Sequence, residues 1–549
     1  MSKKLIFIIL TAIIILGGAL RLWQLGHIPT SPDWDEASLG YDAYSILHTG
    51  KDQYGQVLPI VLRSFNDYKP ALYAYLAIPS IAVFGLNTFA VRLPSAIFGI
   101  LSLIAVFYLV KEIFENYKYK DWLAIIATFL LAISPWHIQF SRVAFESNVG
   151  TALNIFTALF FLKGLKKPWL LSVSAIYAGL AIYAYQSERA FTPLFVLTMV
   201  LVFWKKLRVI NKKYLISALI IGSIIVLPMI SYTFTDKSSL ERLRGTSVFS
   251  SQTELLKTDL SKITRDQQNN DKLGLLLDNR RIVFAKTILQ GYLAHFDLNW
   301  LFIEGDIARH HAHGMGIMYL FELPLLLFGI YSLFTGQFDK RAKLFVILWV
   351  LLAPIPASVT VGVPSAVRTL NFLPAIQILT AIGAVSFLVW IFKIKRKVFG
   401  YILLALIFVS CLLNILYYLN QYFVQSNYYD SAYWQYGYKG AIDESLKLQD
   451  KYKQIVVSDS KTMNQSYIFF LFYLKYPPQE YQNIPENKSK TTNDKSFGKY
   501  IFREINWEKD SRANNVLYLV DPNEIPKETR RINTINNLDG TPAIAIVGT

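Results

Sequence analysis

The chain has 549 residues, 53% of them hydrophobic, with 55 Lys and Arg against 38 Asp and Glu and a formal charge of +17. So apolar a composition excludes an ordinary soluble protein of this length and points to a polytopic membrane protein. One cysteine, Cys411, excludes an intramolecular disulfide and a cysteine-built metal site.

In chain order, Lys3 and Lys4 precede an apolar run over 5–20, and no small-residue cleavage pattern precedes Arg21, so the run reads as an uncleaved first span. At 1.5 Å rise a span takes about 20 apolar residues. Runs at 4–22, 89–110, 122–140, 147–163, 169–187, 190–204, 213–234, 316–335, 342–360, 370–392 and 398–419 give about eleven transmembrane helices. The stretch 71–85 is shorter and holds Pro79; counting it as a span would invert every later loop, so it reads as a helix lying at the outer interface.

The loops test that count. With the N-terminus in the cytoplasm, the inner loops hold Lys111, Lys118 and Lys120; Lys163, Lys166 and Lys167; Lys205, Lys206, Arg208, Lys212 and Lys213; Lys340, Arg341 and Lys343; and Lys393, Lys395, Arg396 and Lys397. The short outer loops 141–146, 188–189 and 361–369 hold one arginine each, Arg142, Arg189 and Arg368. This asymmetry is the positive-inside pattern, and it accounts for the net charge without nucleic acid. The expected architecture is an all-α polytopic membrane domain over 1–420, with outer loops 23–88 and 235–315, followed by an extracytoplasmic α/β domain over 421–549. In that tail, period-two apolar runs at 454–458, 515–520 and 543–547 predict strands and 465–475 predicts a helix. The polar stretch 483–496 reads as a mobile loop.

The outer loops also collect the charges that topology does not explain. The first holds Asp33, Asp35, Glu36, Asp52, Asp67 and Lys69, and the second Arg142 and Glu146. Next come Glu188 and Arg189, then Glu304, Asp306, Arg309, His310, His311 and His313, and finally Arg368. Asp52 and Asp67 read as solvated loop residues. Asp35, Glu36, Glu146 and Arg189 abut apolar helix ends, where charges pair or serve a site. Glu146 paired with Arg189 or Arg142 is the plain structural alternative. The functional reading takes the carboxylates as proton acceptors and the cations as contacts for an anionic ligand. The turn 309–313 is open to three readings: a divalent metal held by His311 and His313, a phosphate clamp, or an interfacial turn before the next span.

The loop PTSPDWDEASLGYDAYSILHTGKDQYGQVLP, then Tyr68-Lys69-Pro70 and the run NTFAVRLP at 87–94, resembles membrane glycosyltransferases of the GT-C fold. Protein O-mannosyltransferases and bacterial lipid A aminoarabinose transferases are nearest in pattern. The resemblance spans roughly 1–420, is most specific over 29–100, and extends to the tail through Tyr433-Trp434-Gln435-Tyr436-Gly437. It implies an inverting glycosyltransferase of the cell membrane that takes a sugar from a polyprenyl-phosphate donor and passes it to a hydroxyl of a protein, lipid or glycan acceptor on the outer face. It further implies Asp35 as catalytic base, with Glu36 beside it and Glu146 as second acidic residue. Lys69 is then a donor-phosphate contact, with Arg189, Arg309 and His310 as further contacts and Asp33, Arg142, Asp306 and Arg368 in support. In the aminoarabinose branch a glutamate that helps hold a metal precedes the lysine; here that position is Tyr68. A transporter or flippase, or a polymerase or ligase, for lipid-linked sugars is the alternative. A transporter would place charges at mid-span within broken, repeated helices.

Overall fold

The computed structural model describes residues 2–65, 67–236, 247–249, 255–395, 397–485, 487, 494–511, 513–526 and 529–549, with side chains over 255–259 excepted. Helices dominate, and the chain forms two compact units. One comprises Met1–Leu20, Phe98–Phe140 and Glu146–Leu416; the other comprises Arg21–Ile97, Ser141–Phe145 and Tyr417–Thr549.

The first unit holds most of the apolar helices. Among the described residues six helices of the chain are long and apolar enough to cross a membrane: Lys3–Leu22, Thr88–Ile113, Lys212–Thr235, Lys340–Ser358, Phe372–Lys393 and Lys397–Tyr429. The pair Lys120–Ile133 and Pro135–Arg142, bent by 56°, makes a seventh if counted as one span. The chain is a multi-pass membrane protein. The run at 122–140 breaks at Ser134 because the next residue is proline: Ser134 takes φ −54°, ψ 123°, the extended geometry that a following proline imposes.

The other expected spans form helices at Glu146–Gly164, Leu170–Ala181, Glu188–Val202 and Glu322–Thr335. The helix in 169–187 is 12 residues long. It therefore rises about 18 Å, short of a bilayer core. It ends where Tyr183 and Ala184 donate to the carbonyls three residues back and tighten the chain into a turn. The run 316–335 is helical only from Glu322, because Met318 donates its N–H to Leu301 O instead of starting a helix. The loop expected over 235–315 contains helices Leu255–Gln268, Lys272–Leu277 and Arg280–Ala294.

Small residues set the tightest crossing. Helices Glu322–Thr335 and Phe372–Lys393 pack so closely that a Cβ on Gly329 would collide with Leu379 O, and one on Gly383 with Leu325 O. Between apolar helices in lipid, contact is gained by backbone approach rather than by excluding water, so glycine faces are the means.

In the second unit, helix Trp34–Thr49 packs on helices Leu72–Phe84 and Ser466–Leu474. Gly40 is a point of close approach, where a Cβ would lie 2.6 Å from Val91 Cγ2 of helix Thr88–Ile113 and 2.9 Å from Phe472 Cε2 of helix Ser466–Leu474. Strands β1 (Val61–Ser64) and β2 (Asp67–Pro70) form an antiparallel hairpin. Six further strands follow: β3 (Gln454–Ser458), β4 (Lys495–Phe497), β5 (Tyr500–Arg503), β6 (Val516–Val520), β7 (Arg531–Asn536) and β8 (Pro542–Gly548). They form one sheet in the order β4-β5-β3-β6-β8-β7. Its centre, β5-β3-β6, is parallel and its flanks are antiparallel. Strand β6 is buried at every position, as a central strand covered on both faces must be.

The predicted strands and helix of the tail correspond to β3, β6, β8 and Ser466–Leu474, and the helix at 71–85 to Leu72–Phe84. Of the loop expected over 483–496, residues 486 and 488–493 lie outside the described residues, while β4 occupies its end. The unit is larger than the expected tail domain because residues 21–97 belong to it.

Replacing Gly383 with Val should lower the thermal unfolding midpoint in detergent well beyond the small change from Gly222→Ala, where a Cβ would make only an ordinary 3.5 Å contact with Ala175 Cβ. Equal midpoints would show that the helix crossing tolerates separation.

Candidate functional site

The acidic loop of the second unit divides its carboxylates by role. Asp33 is the N-cap of helix Trp34–Thr49: its Oδ1 accepts from Glu36 N at 2.8 Å, and Glu36 Oε2 accepts from Asp33 N at 3.3 Å. This capping box satisfies two helix-end donors and places negative charge at the positive end of the helix. Gly50, at φ 69°, closes the other end, its N–H donating to Ile46 O at 2.8 Å.

Glu36 points inward and is 1% exposed. Arg92 Nε donates to its Oε1 and Arg92 Nη2 to its Oε2, each at 2.8 Å, while Ala144 N donates to Oε1 at 2.9 Å. The remaining Arg92 donors reach Ser31 O at 2.7 Å, Pro29 O at 2.8 Å and Leu25 O at 3.2 Å. A planar guanidinium has five N–H bonds, and each has an acceptor here. Arg142 is likewise buried, donating to Trp23 O at 2.7 Å and Ile28 O at 2.9 Å beneath the Phe423 ring. Asp33, Glu36 and Arg142, read from sequence as catalytic or supporting groups, therefore have demanding structural work.

Asp35, on the turn between them, differs. Its side chain is 41% exposed and forms an ion pair through Oδ1 with Lys69 Nζ, whose side chain is 10% exposed. The hairpin holds the lysine: Lys69 lies opposite Leu62 in the β1–β2 register. Asp35 and Lys69 are thus brought together, with carboxylate surface open to solvent.

One and two turns further along the same helix, Ser38 Oγ lies 3.2 Å from Ser64 Oγ, and Asp42 accepts from Gln53 N at 3.1 Å and from Gln53 Nε2 at 3.2 Å. Burial, and next the charge of Asp52, push the Asp42 carboxyl well above the usual carboxylate range; burial raises Asp52 too. Asp52, expected to be a solvated loop residue, is 1% exposed, because the loop closes through its Oδ1 onto Tyr54 N and Gln56 N. Helical spacing from Asp35 could have singled out Asp42, since i and i+7 share a face.

In the first unit, Glu146 opens helix Glu146–Gly164 and is 7% exposed. Arg189 follows Glu188 and is half-buried. Glu188 turns inward: Oε1 accepts from Asn371 Nδ2 at 2.7 Å, and Oε2 from Asn154 Nδ2 at 2.5 Å. Gly150 makes room for it, since a Cβ there would meet Glu188 Cγ at 2.7 Å.

The turn at 306–313 is anchored by Asp306, whose Oδ2 accepts from Ala366 N at 2.5 Å and whose Oδ1 lies 3.3 Å from His310 Nδ1. Burial opposes ionisation of Asp306, but His310 and the N–H groups of Ala366 and Ile307 outweigh it and hold the carboxyl below its usual value. Arg309 is half-buried, and its carbonyl accepts from Gln139 Nε2 at 2.5 Å. Arg368 Nη1 donates to Thr360 Oγ1 at 2.7 Å. Among the described residues no three His, Cys, Asp or Glu side chains come together, so His311 and His313 gather no third metal ligand. His311 instead packs over Gly305, at φ 78°, with Nδ1 3.1 Å from Ile307 O.

His295, unremarked in the sequence, is fully buried at 0% exposure. Its Nδ1 lies 2.7 Å from Gly291 O and its Nε2 accepts from Ser365 N at 3.2 Å, a pattern only the neutral ring satisfies.

Residues 68–232 match the family described as dolichyl-phosphate-mannose-protein mannosyltransferase. ArnT from Cupriavidus metallidurans shares the fold: the structure bound to undecaprenyl phosphate has TM-score 0.53 at 10% identity over 100% of this chain and 98% of that one. Its apo structure has TM-score 0.53 at 11% identity, covering 98% and 97%. The oligosaccharyltransferase AglB from Archaeoglobus fulgidus, in complex with an inhibitory peptide and a dolichol-phosphate, has TM-score 0.49 at 13% identity over 85% of this chain; the chain spans 64% of its length. No curated protein sequence matches.

Two predictions follow from these geometries. Glu36→Ala, which strands a fully buried guanidinium, should cost about 3–5 kcal/mol, whereas Asp35→Asn, which keeps a polar side chain at a 41% exposed position beside Lys69, should cost clearly less; chemical denaturation in detergent reads both. Burial lowers the His295 pKa to about 4, below the ordinary 6.5 of an unfolded chain. Its contribution is therefore complete above pH 6.5 and is lost as pH falls towards 4. His295→Gln should flatten the acid side of the stability profile; an unchanged slope would exclude His295 as its source.

Proposed function

We propose that this chain, whose residues 68–232 match the family described as dolichyl-phosphate-mannose-protein mannosyltransferase, is an inverting glycosyltransferase that moves a hexose or pentose from a polyprenyl-phosphate donor to an acceptor hydroxyl. The observation that carries the reading is the contrast between two adjacent carboxylates: Glu36 saturated by Arg92 and Ala144, and Asp35 half-exposed against Lys69.

In this reading Asp35 takes the acceptor's hydroxyl proton as the oxygen attacks the anomeric carbon. The bond from that carbon to the phosphate oxygen breaks, and the polyprenyl phosphate leaves with the electron pair. Lys69 supplies a fixed cation where negative charge develops, the arrangement that gives most electrostatic catalysis. Glu146 and the basic groups Arg189, Arg309 and His310 stay in the proposal as further acidic and phosphate contacts; Glu36, Asp33 and Arg142 leave it as reacting groups. Asp306 and Arg368 support the turn.

The donor's tail needs an apolar surface. The first unit has a groove of about 710 Å³ lined by side chains such as Leu171, Ile182, Pro193, Leu197 and Leu227. ArnT holds undecaprenyl phosphate on the same fold. The proposed topology keeps eleven crossings, one of them made by helix Leu170–Ala181 together with the turn that follows it, a cytoplasmic N-terminus and outer loops carrying the chemistry, on the strength of the positive-inside asymmetry.

In reconstituted protein, Asp35→Asn should reduce transfer from a polyprenyl-phosphate sugar by roughly 10²–10⁴-fold, the range for loss of a general base, with the fold intact by circular dichroism. Lys69→Ala should weaken donor binding as well as turnover. Wild-type rates in Asp35→Asn would reject the assigned base.

A further inference from the structure

A cavity of about 410 Å³ lies within the second unit and takes no part in the chemistry above. Lys439, Lys475 and His27 line it together with Thr30, Thr88 and Tyr473, and among the described residues no carboxylate does. Neither lysine enters an ion pair or a side-chain hydrogen bond among those residues. Two ammonium groups sharing a concave wall repel each other. Such a pair is stabilised when an anion sits between them, and focusing in a cleft strengthens its attraction for anions.

The backbone at Lys475 adds an independent observation. This residue caps helix Ser466–Leu474 in the left-handed region, at φ 50°, donating to Leu471 O and Phe472 O. Glycine is the residue that this position favours. A lysine there is explained by its side chain, which reaches into the cavity. Tyr473, near it in the sequence, also lines the cavity and is held in place. Tyr473 Oη lies 3.3 Å from Ser31 Oγ, and Ser31 O is one of the acceptors that hold Arg92.

We propose that this cavity is an oxyanion site that takes the phosphoryl or carboxyl group of an anionic glycan or lipid headgroup, held by Lys439 and Lys475 with the Thr30 and Thr88 hydroxyls as added donors. Lysine ammonium groups bind such oxygens through charge-assisted hydrogen bonds. Pro32 lines the cavity and precedes Asp35 by three residues, so their Cα atoms lie within roughly 11 Å. A bound molecule that spans this distance presents a hydroxyl to Asp35, and on the glycosyl-transfer reading we assign it as the acceptor; oxyanion binding does not rest on that reading.

The test uses the full-length protein in phosphatidylcholine nanodiscs. Amine-selective labelling of Lys439 and Lys475 is read by mass spectrometry against inorganic phosphate. Phosphate should protect both lysines. The half-protecting concentration should rise about tenfold, the loss of one charge-assisted contact, at Lys475 in Lys439→Gln and at Lys439 in Lys475→Gly, a variant that relieves the backbone. Protection by free phosphate assigns a soluble oxyanion group. Protection only in phosphatidylglycerol nanodiscs assigns a lipid headgroup. Labelling unchanged by both overturns the site. In the transfer assay, Lys475→Gly should raise the acceptor KM with kcat preserved. Protection that persists while Asp35→Asn transfers at the wild-type rate would sink the catalytic reading and leave the oxyanion site standing.

Discussion

A guanidinium carries five N–H donors in one plane and keeps its charge in any protein, so burying one obliges the fold to supply five acceptors around it. Arg92, at 0% exposure, receives them from Glu36, Ser31, Pro29 and Leu25. The consequence extends beyond the pair. Three carbonyls of the segment before helix Trp34–Thr49 are fixed by the same group that fixes the helix's third residue, so the approach to the helix and its first turn form one rigid piece. The capping box adds the remaining constraint through Asp33. Asp35, between the two anchored residues, thereby gains a defined position.

The first unit solves a related problem in apolar surroundings. Where water is scarce, each polar group needs an internal partner. Glu188 finds Asn154 and Asn371, Glu322 finds Gln377 at 2.9 Å, and Trp349 Nε1 finds Asn371 O at 2.8 Å. Asn371 serves two helices at once through its side chain and carbonyl. Glycines at 150, 329 and 383 allow these approaches. Small residues admit the neighbour, and the polar pair fixes the register in which it packs.

Much of this architecture was legible in the sequence because it depends on local patterns. Apolar length located most of the helices, and period-two alternation located β3, β6 and β8. Partnerships across sequence were not legible. Nothing local distinguishes Glu36 from Asp35; the distinction comes from Arg92, 56 residues on, which lies inside the quoted NTFAVRLP run yet drew no role. Glu188 read only as an outer-loop charge without a partner in view, because Asn371, 183 residues away, is its cover. Strands β4, β5 and β7 are short or edge segments whose alternation is too brief to stand out. The break at Ser134 was available from Pro135, but the apolar run on both sides masked it.

The two ion pairs of the acidic loop follow opposite energetics, and that difference explains their suitability for different work. Separating Glu36 from Arg92 leaves a charge in a dry site, at a cost of several kcal/mol. The pair therefore cannot exchange partners during a reaction, and a carboxylate so held would be a poor proton acceptor. Separating Asp35 from Lys69 returns a 41% exposed carboxylate to partial solvation and leaves only the 10% exposed lysine in need of a new partner, so it costs less than opening a pair buried on both sides. The lysine can then turn to an incoming phosphate, and the aspartate to an incoming hydroxyl, at little cost. Weakness in that pair is a property a reacting site needs, and the rigidity that keeps it usable is supplied one residue away by the pair that never opens.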